Sequence, residues 1–143
     1  MDIFIFRKVK RMAQKEFRKP PRYMVGDIVY SHGFICIVCS IYPFNIDYSY
    51  DLKVIDGQSL GKICQNDIMH VHIWEEFLKK NGWKKPDGFD SYWLDKIGLL
   101  QEGDTWHSAL GSTKIAITLG NILYVHQLQH LLFGLGLNSE MEV

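Results

Sequence analysis

The chain has 143 residues, 47% apolar and 13% aromatic, with 16 Lys and Arg balanced by 16 Asp and Glu. This content excludes wholesale disorder, which needs low hydrophobicity and high net charge, and the length fits one ordinary domain or two very small ones. The zero net charge hides a split. Residues 1–22 hold eight basic side chains against Asp2 and Glu16, and residues 23–143 hold eight against fourteen acidic ones. A basic arm on an acidic body points to a negatively charged partner.

Residues 1–6 put their apolar stretch before the charges, the reverse of a secretory signal. The longest apolar runs, 34–39 and 115–119, fall far below the roughly 18 residues of a membrane span. A cytoplasmic location without a membrane partner is therefore expected. Three cysteines form no disulfide framework and are expected as free thiols.

In chain order, RKVKRMAQKEFRK (7–19) spaces Val9, Met12, Ala13 and Phe17 near a helical period. It predicts a short basic amphipathic helix stopped by Pro20 and Pro21. Isolated helices shorter than about 12 to 15 residues rarely persist in water, so this one needs a partner surface. Short β-rich runs follow: GDIVY, FICIVCSIY, YDLKVI, LGKI and NDIMHVHI, with Asp56 and Gly57 as the clearest hairpin signal. Five strands in about fifty residues predict a small SH3-like β-barrel or a bent antiparallel sheet. IWEEFLKKNGW reads as a helix with acidic residues opening it and basic residues closing it, as the helix dipole favours. A polar linker, 84–88, leads to strands at SYWL, IGLLQ and KIAITL, and ILYVHQLQHLLFGLG reads as a core-packing helix. The expected architecture is α+β: an arm (1–22), a β-rich SH3-like part (23–73) and an α-β-β-β-α part (74–143).

No complete catalytic motif emerges. Cys36 and Cys39 have CxxC spacing, but zinc normally needs four ligands, and in a strand the two point to opposite faces. His126 and His130 stand four apart on a helix, with His70 and His72 as further candidate ligands. The position of the general base in a metalloprotease HExxH motif is Gln127, which takes no proton at neutral pH. Carboxylates such as Asp47, Asp51, Asp56 and Asp67 show no spacing that selects a pair, and there is no phosphate-binding loop or nucleophile elbow. No cofactor and no metal are expected. Candidate contacts are the cations Arg7, Lys8, Lys10, Arg11, Lys15, Arg18, Lys19 and Arg22, and the aromatics Phe44, Tyr48 and Tyr50. Exposed aromatics stack on bases or serve as interface hot spots, whereas buried ones would simply fill a barrel core.

GDIVY, DLKVIDG, NDIMHVHI, WEEFLKKNGW, SYW and LYVHQLQHLLFGLGL, in that order, resemble a family of short proteins carried by bacteriophages and mobile elements of Bacteroidota. The resemblance spans about 25–137, and YVHQLQ (124–129) is its most specific piece. It implies architecture and genomic setting without a reaction. Proteins of that pattern tend to begin near the equivalent of Gly26, so residues 1–23 are either an acquired element or the result of a start set too early, with Met12 and Met24 as internal alternatives. The expected function is binding without catalysis: inhibition of a host defence protein such as an RNA-guided CRISPR nuclease, whose guide and heteroduplex channels are basic. Nucleic-acid binding through the arm is the alternative, and a metal-dependent hydrolase built on His126 and His130 is a further one.

Overall fold

The computed structural model describes residues 19–143. The predicted basic helix, with Arg7, Lys8, Lys10, Arg11, Lys15 and Arg18, lies outside them. Four strands form a first antiparallel sheet in chain order: β1 (Ile28–Ser31), β2 (Phe34–Phe44), β3 (Asp47–Val54) and β4 (Ser59–Cys64). The turns follow residue chemistry. His32 and Gly33 join β1 to β2 with φ of 52° and 86°, the positive values that a tight two-residue hairpin requires. The aromatic stretch between β2 and β3 is itself a hairpin, in which Phe44 pairs with Asp47 across Asn45 and Ile46. Asp56 and Gly57 form the predicted turn before β4.

No closed barrel forms, because β4 does not pair with β1. The outer edge of β1 is taken by Met69, which exchanges two backbone hydrogen bonds with Tyr30. The expected strand NDIMHVHI is instead a 3₁₀ turn (Gln65–Asp67) followed by an extended seam. The seam's backbone bonds are divided between two partners: Met69 pairs with β1, Val71 C=O accepts from Val125 N–H, and Ile73 N–H donates to Leu123 C=O. A segment shared in this way ladders with neither.

The second half contains α1 (Glu75–Lys80), a second antiparallel meander and α2 (Val125–Gly134). The meander has four strands, β5 (Ser91–Leu94), β6 (Ile97–Glu102), β7 (Thr105–Gly111) and β8 (Ala116–Ile122), where three were expected. TWHSALG is the unexpected strand β7. Its buried alternation runs through Trp106 and Ser108, and the serine is accommodated because its hydroxyl donates to Gly120 C=O at 2.7 Å. Gly120 and Asn121, residue types common in turns, lie within β8. Among the described residues no helix is long and apolar enough to cross a membrane.

Two apolar clusters meet at β1. Val29 faces Tyr23, Cys36, Val38, Tyr50, Leu52, Val54 and Ile68. Ile28, its neighbour on the opposite face, joins Phe77, Trp83, Trp106, Leu128 and Leu132 in the larger cluster, with Ile35 and Ile37 of β2 against it. The sequence boundary near residue 73 is thus crossed by packed side chains. Each buried Leu or Ile contributes about 1.5–3 kcal/mol relative to exposure.

Polar bonds fix where α2 sits on β1. Gln129, 4% exposed, accepts from Ile28 N–H at 2.8 Å and donates to Gly26 C=O at 2.9 Å and Ser139 C=O at 3.2 Å. Gln127 closes the helix start by accepting from the backbone of Leu123 and Tyr124, a capping box that satisfies otherwise orphaned donors. Replacing Gln129 with Leu keeps the volume but leaves Ile28 N–H buried without a partner. We expect Gln129→Leu to lose about 1–3 kcal/mol, read as a lower urea midpoint with an unchanged denaturant slope. An unchanged midpoint would show that the clamp contributes nothing.

Candidate functional site

The described part of the arm, 19–23, is attached to β3 by tyrosines. Tyr48 O–H donates to Lys19 C=O at 2.7 Å. Tyr23 is fully buried, with its ring edge-on to Tyr50 at 5.5 Å and its N–H donating to the Tyr50 hydroxyl at 3.4 Å. Tyr50 O–H in turn donates to Gln65 Oε1 at 2.8 Å. Lys19 and Arg22 remain exposed.

The aromatic candidates separate by position along the hairpin of β2 and β3. Tyr50 is 0% exposed, so it belongs to the core and presents no ring to a partner, as a core-filling aromatic would. Tyr48, two residues nearer the turn, is half-buried, and Phe44 is 52% exposed. Ile46, at the tip, is 82% exposed, an unusual residue for a turn, where Gly, Pro, Asn, Asp and Ser dominate. Between this turn and residues 64–66 lies a cleft of about 230 Å³, with Phe44, Ile46 and Tyr48 on one side and Cys64 and Gln65 on the other.

A second cluster, made of histidines and tyrosines, lies where the seam meets α2. His70 stacks on Tyr124 at 4.1 Å and on His126 at 5.2 Å, with planes within 18°. Tyr124 and His126 are nearly parallel and 5.8 Å apart. Were His70 sandwiched between them, they would stand about two ring spacings, roughly 7 Å, apart, so His70 does not lie between them. Tyr23 meets His126 edge-on at 5.2 Å, and its hydroxyl pairs with His70 Nδ1 at 3.3 Å. His72, exposed, meets Tyr124 edge-on at 5.0 Å. Arg22 hydrogen-bonds the Tyr23 side chain and acts electrostatically on both His70 and His126.

The charges of this cluster follow from its surroundings. His126 is 5% exposed, and burial pushes its pKa down to about 4; its Nδ1 has no hydrogen-bond partner among the described residues. His70 is also lowered, by burial first and then by Arg22 and His72. His130 is raised, because Nε2 is held by both oxygens of buried Asp27 at 2.9 and 2.7 Å. Asp27 Oδ2 also accepts from Met24 N–H at 2.8 Å.

This arrangement brings near-parallel rings together with Arg22. Among the described residues no group of three or more His, Cys, Asp or Glu is arranged to hold a metal ion. His130 is engaged by Asp27, and His126 is covered by its neighbours. Cys36 is buried and Cys39 exposed, as expected for opposite strand faces. No protein-family model, curated protein or solved structure matches the chain. His70, His72 and His126 were visible in the sequence only as possible ligands. That they would stack with Tyr124 beside the arm had no sequence signal beyond His70-Met-His72 and the YVHQLQ run.

The pH dependence has a definite sign. His126 binds a proton more readily unfolded than folded, so the stability of its neutral buried form is present above about pH 6.5 and lost as pH falls toward 4. His130 has the opposite sign: its contribution is complete below about pH 6.5 and fades as pH rises through its raised folded value. Acidification from pH 6.5 to 4 should therefore cost about 3 kcal/mol at His126. His126→Phe, which keeps an aromatic ring in the stack, should remove most of that loss. Urea midpoints of both proteins across this range test it, the common carboxylate titrations cancelling in the difference. Parallel curves would refute the assignment.

Proposed function

We propose that this chain is a non-catalytic accessory protein of a bacteriophage or mobile element that acts in the cytoplasm by binding a host defence protein. The target class is an RNA-guided CRISPR nuclease with its guide RNA, which makes the protein an anti-CRISPR-like inhibitor. The observation that carries this reading is the Tyr48 to Lys19 hydrogen bond. Through it the basic arm starts beside the apolar cleft and the exposed Phe44 and Ile46, on a body whose residues 23–143 carry fourteen acids against eight bases.

Each part matches a different element of such a target. Exposed Asp56, Asp67, Glu75, Glu76 and Asp104 supply negative charge that competes with nucleic acid for a basic channel. Phe44 and Ile46 are the kind of large apolar side chains that dominate interface energetics when buried by a partner. The arm's cations face phosphates, which gives a contact to the guide RNA. A second reading, direct nucleic-acid binding, is favoured by one observation of its own: Arg22 hydrogen-bonds the Tyr23 side chain, whose hydroxyl pairs with His70 of the stacked rings.

Recovery of the tagged full chain from a Bacteroidota host should bring down an RNA-guided nuclease with its RNA, and the purified chain should block target cleavage by that nuclease. Phe44→Ala with Ile46→Ser should weaken binding at least about tenfold without changing the melting temperature. A comparison protein lacking the arm must start at Lys19, since a start at Met24 removes the buried Tyr23 ring. Undiminished cleavage at saturating protein would eliminate the proposal.

A further inference from the structure

We infer that the His70, His72 and Tyr124 face, together with Arg22, is a binding site for single-stranded nucleic acid, with the rings taking an unpaired base and the guanidinium an adjacent phosphate. The inference rests on the nucleic-acid reading of the arm and adds a site on the folded body.

Four observations converge on it. The rings of His70, Tyr124 and His126 are near-parallel with centroids 4.1, 5.2 and 5.8 Å apart, so the aromatic surface is assembled before any ligand arrives, and preorganised aromatic surface loses little entropy on binding. His72 stands edge-on to Tyr124 and is exposed, with His70 and Tyr124 half-buried, which leaves ring surface open to solvent. Arg22 is exposed, tied to Tyr23, and three residues from Lys19, where the chain continues into the basic arm. The acid in the neighbourhood, Asp27, is buried and already engaged by His130 and by Met24 N–H, so it does not oppose a phosphate at Arg22.

The cluster also carries a cost that packing alone does not explain. Among the described residues His126 Nδ1 is buried without a partner, where an apolar ring would fill the same space without an unpaired polar atom. Departures from local optimality of this kind concentrate at functional sites. A base fits the platform because every base has a π-face, and single strands present it whereas duplexes keep it stacked. Phosphate attraction by the arm alone makes no such distinction.

The test is fluorescence anisotropy of the full chain with 12-nucleotide single-stranded RNA, the same sequence as single-stranded DNA, and the RNA duplex, each across a salt series. The single strands should bind more tightly than the duplex, and comparison of the two strands shows whether the 2′-hydroxyl contributes. His72→Ala should weaken single-strand binding at least about fivefold and leave the salt slope unchanged, because a stacked ring releases no counterion. Arg22→Ala should weaken binding and reduce the slope by about 0.7, the value for one phosphate contact on a single strand. Circular dichroism and thermal melting check that both variants stay folded. Binding by the full chain that neither variant alters, or equal affinity for duplex and single strand, would overturn the site while leaving the arm reading intact. No binding at low salt would overturn both.

Discussion

Two consecutive residues of one helix hold three consecutive residues of the chain that enters the first strand. Gln129 takes Ile28 N–H and Gly26 C=O, and His130 takes the carboxylate of Asp27 between them. Everything else in the molecule is arranged around this clamp. β1 is buried on both faces, with Ile28 in one apolar cluster and Val29 in the other. A strand apolar on both sides has little hydrophobic preference for one register over its neighbours. The buried polar groups supply that preference, since any slip leaves an amide, a carbonyl or a carboxylate unpaired in a dry environment. The clamp therefore converts two sheets that could pack in several ways into one arrangement, and it holds Tyr23 and Arg22 against the histidine seam.

Local elements were legible where a turn or a period was strong. Asp56 with Gly57, the alternation of FICIVCSIY, the charge pattern of WEEFLKK and the stripe through Val125, Leu128 and Leu132 each correspond to an element of the fold. What was not legible depended on partners distant in sequence. β7 is concealed because its inward positions include Ser108, which is tolerable only through a hydrogen bond to Gly120. NDIMHVHI has strand composition, yet its backbone is shared between β1 and the residues before α2, and composition does not say how a ladder is divided. Barrel closure failed for the same reason, since the edge that β4 would need is occupied by Met69.

The candidate site shows the same division. Phe44, Tyr48 and Tyr50 belong to one hairpin and were indistinguishable in sequence. What separates them is where the core ends: Tyr50 lies inside it, Tyr48 at its margin and Phe44 beyond it. Histidines 70 and 126 are 56 positions apart, and only the spacing of His126 from His130 suggested a role, that of a metal ligand. In the fold they serve as flat rings, one laid over the other, a role that depends on shape and that no ligand-spacing pattern describes.

The charge split along the sequence acquires a spatial meaning through Tyr23. Its ring lies between Tyr50 of the first sheet and the His70 and His126 pair of the seam, so the last residues of the basic segment are part of the folded body. An arm joined by a loose linker would sample all directions and add only a weak effective concentration to whatever the body binds. An arm whose base is buried and hydrogen-bonded starts from one fixed point, between the apolar hairpin tip on one side and the stacked rings on the other. That fixed origin holds Lys19 at Tyr48 and Arg22 at Tyr23, which is what the proposed partner, with protein surface and nucleic acid together, would require.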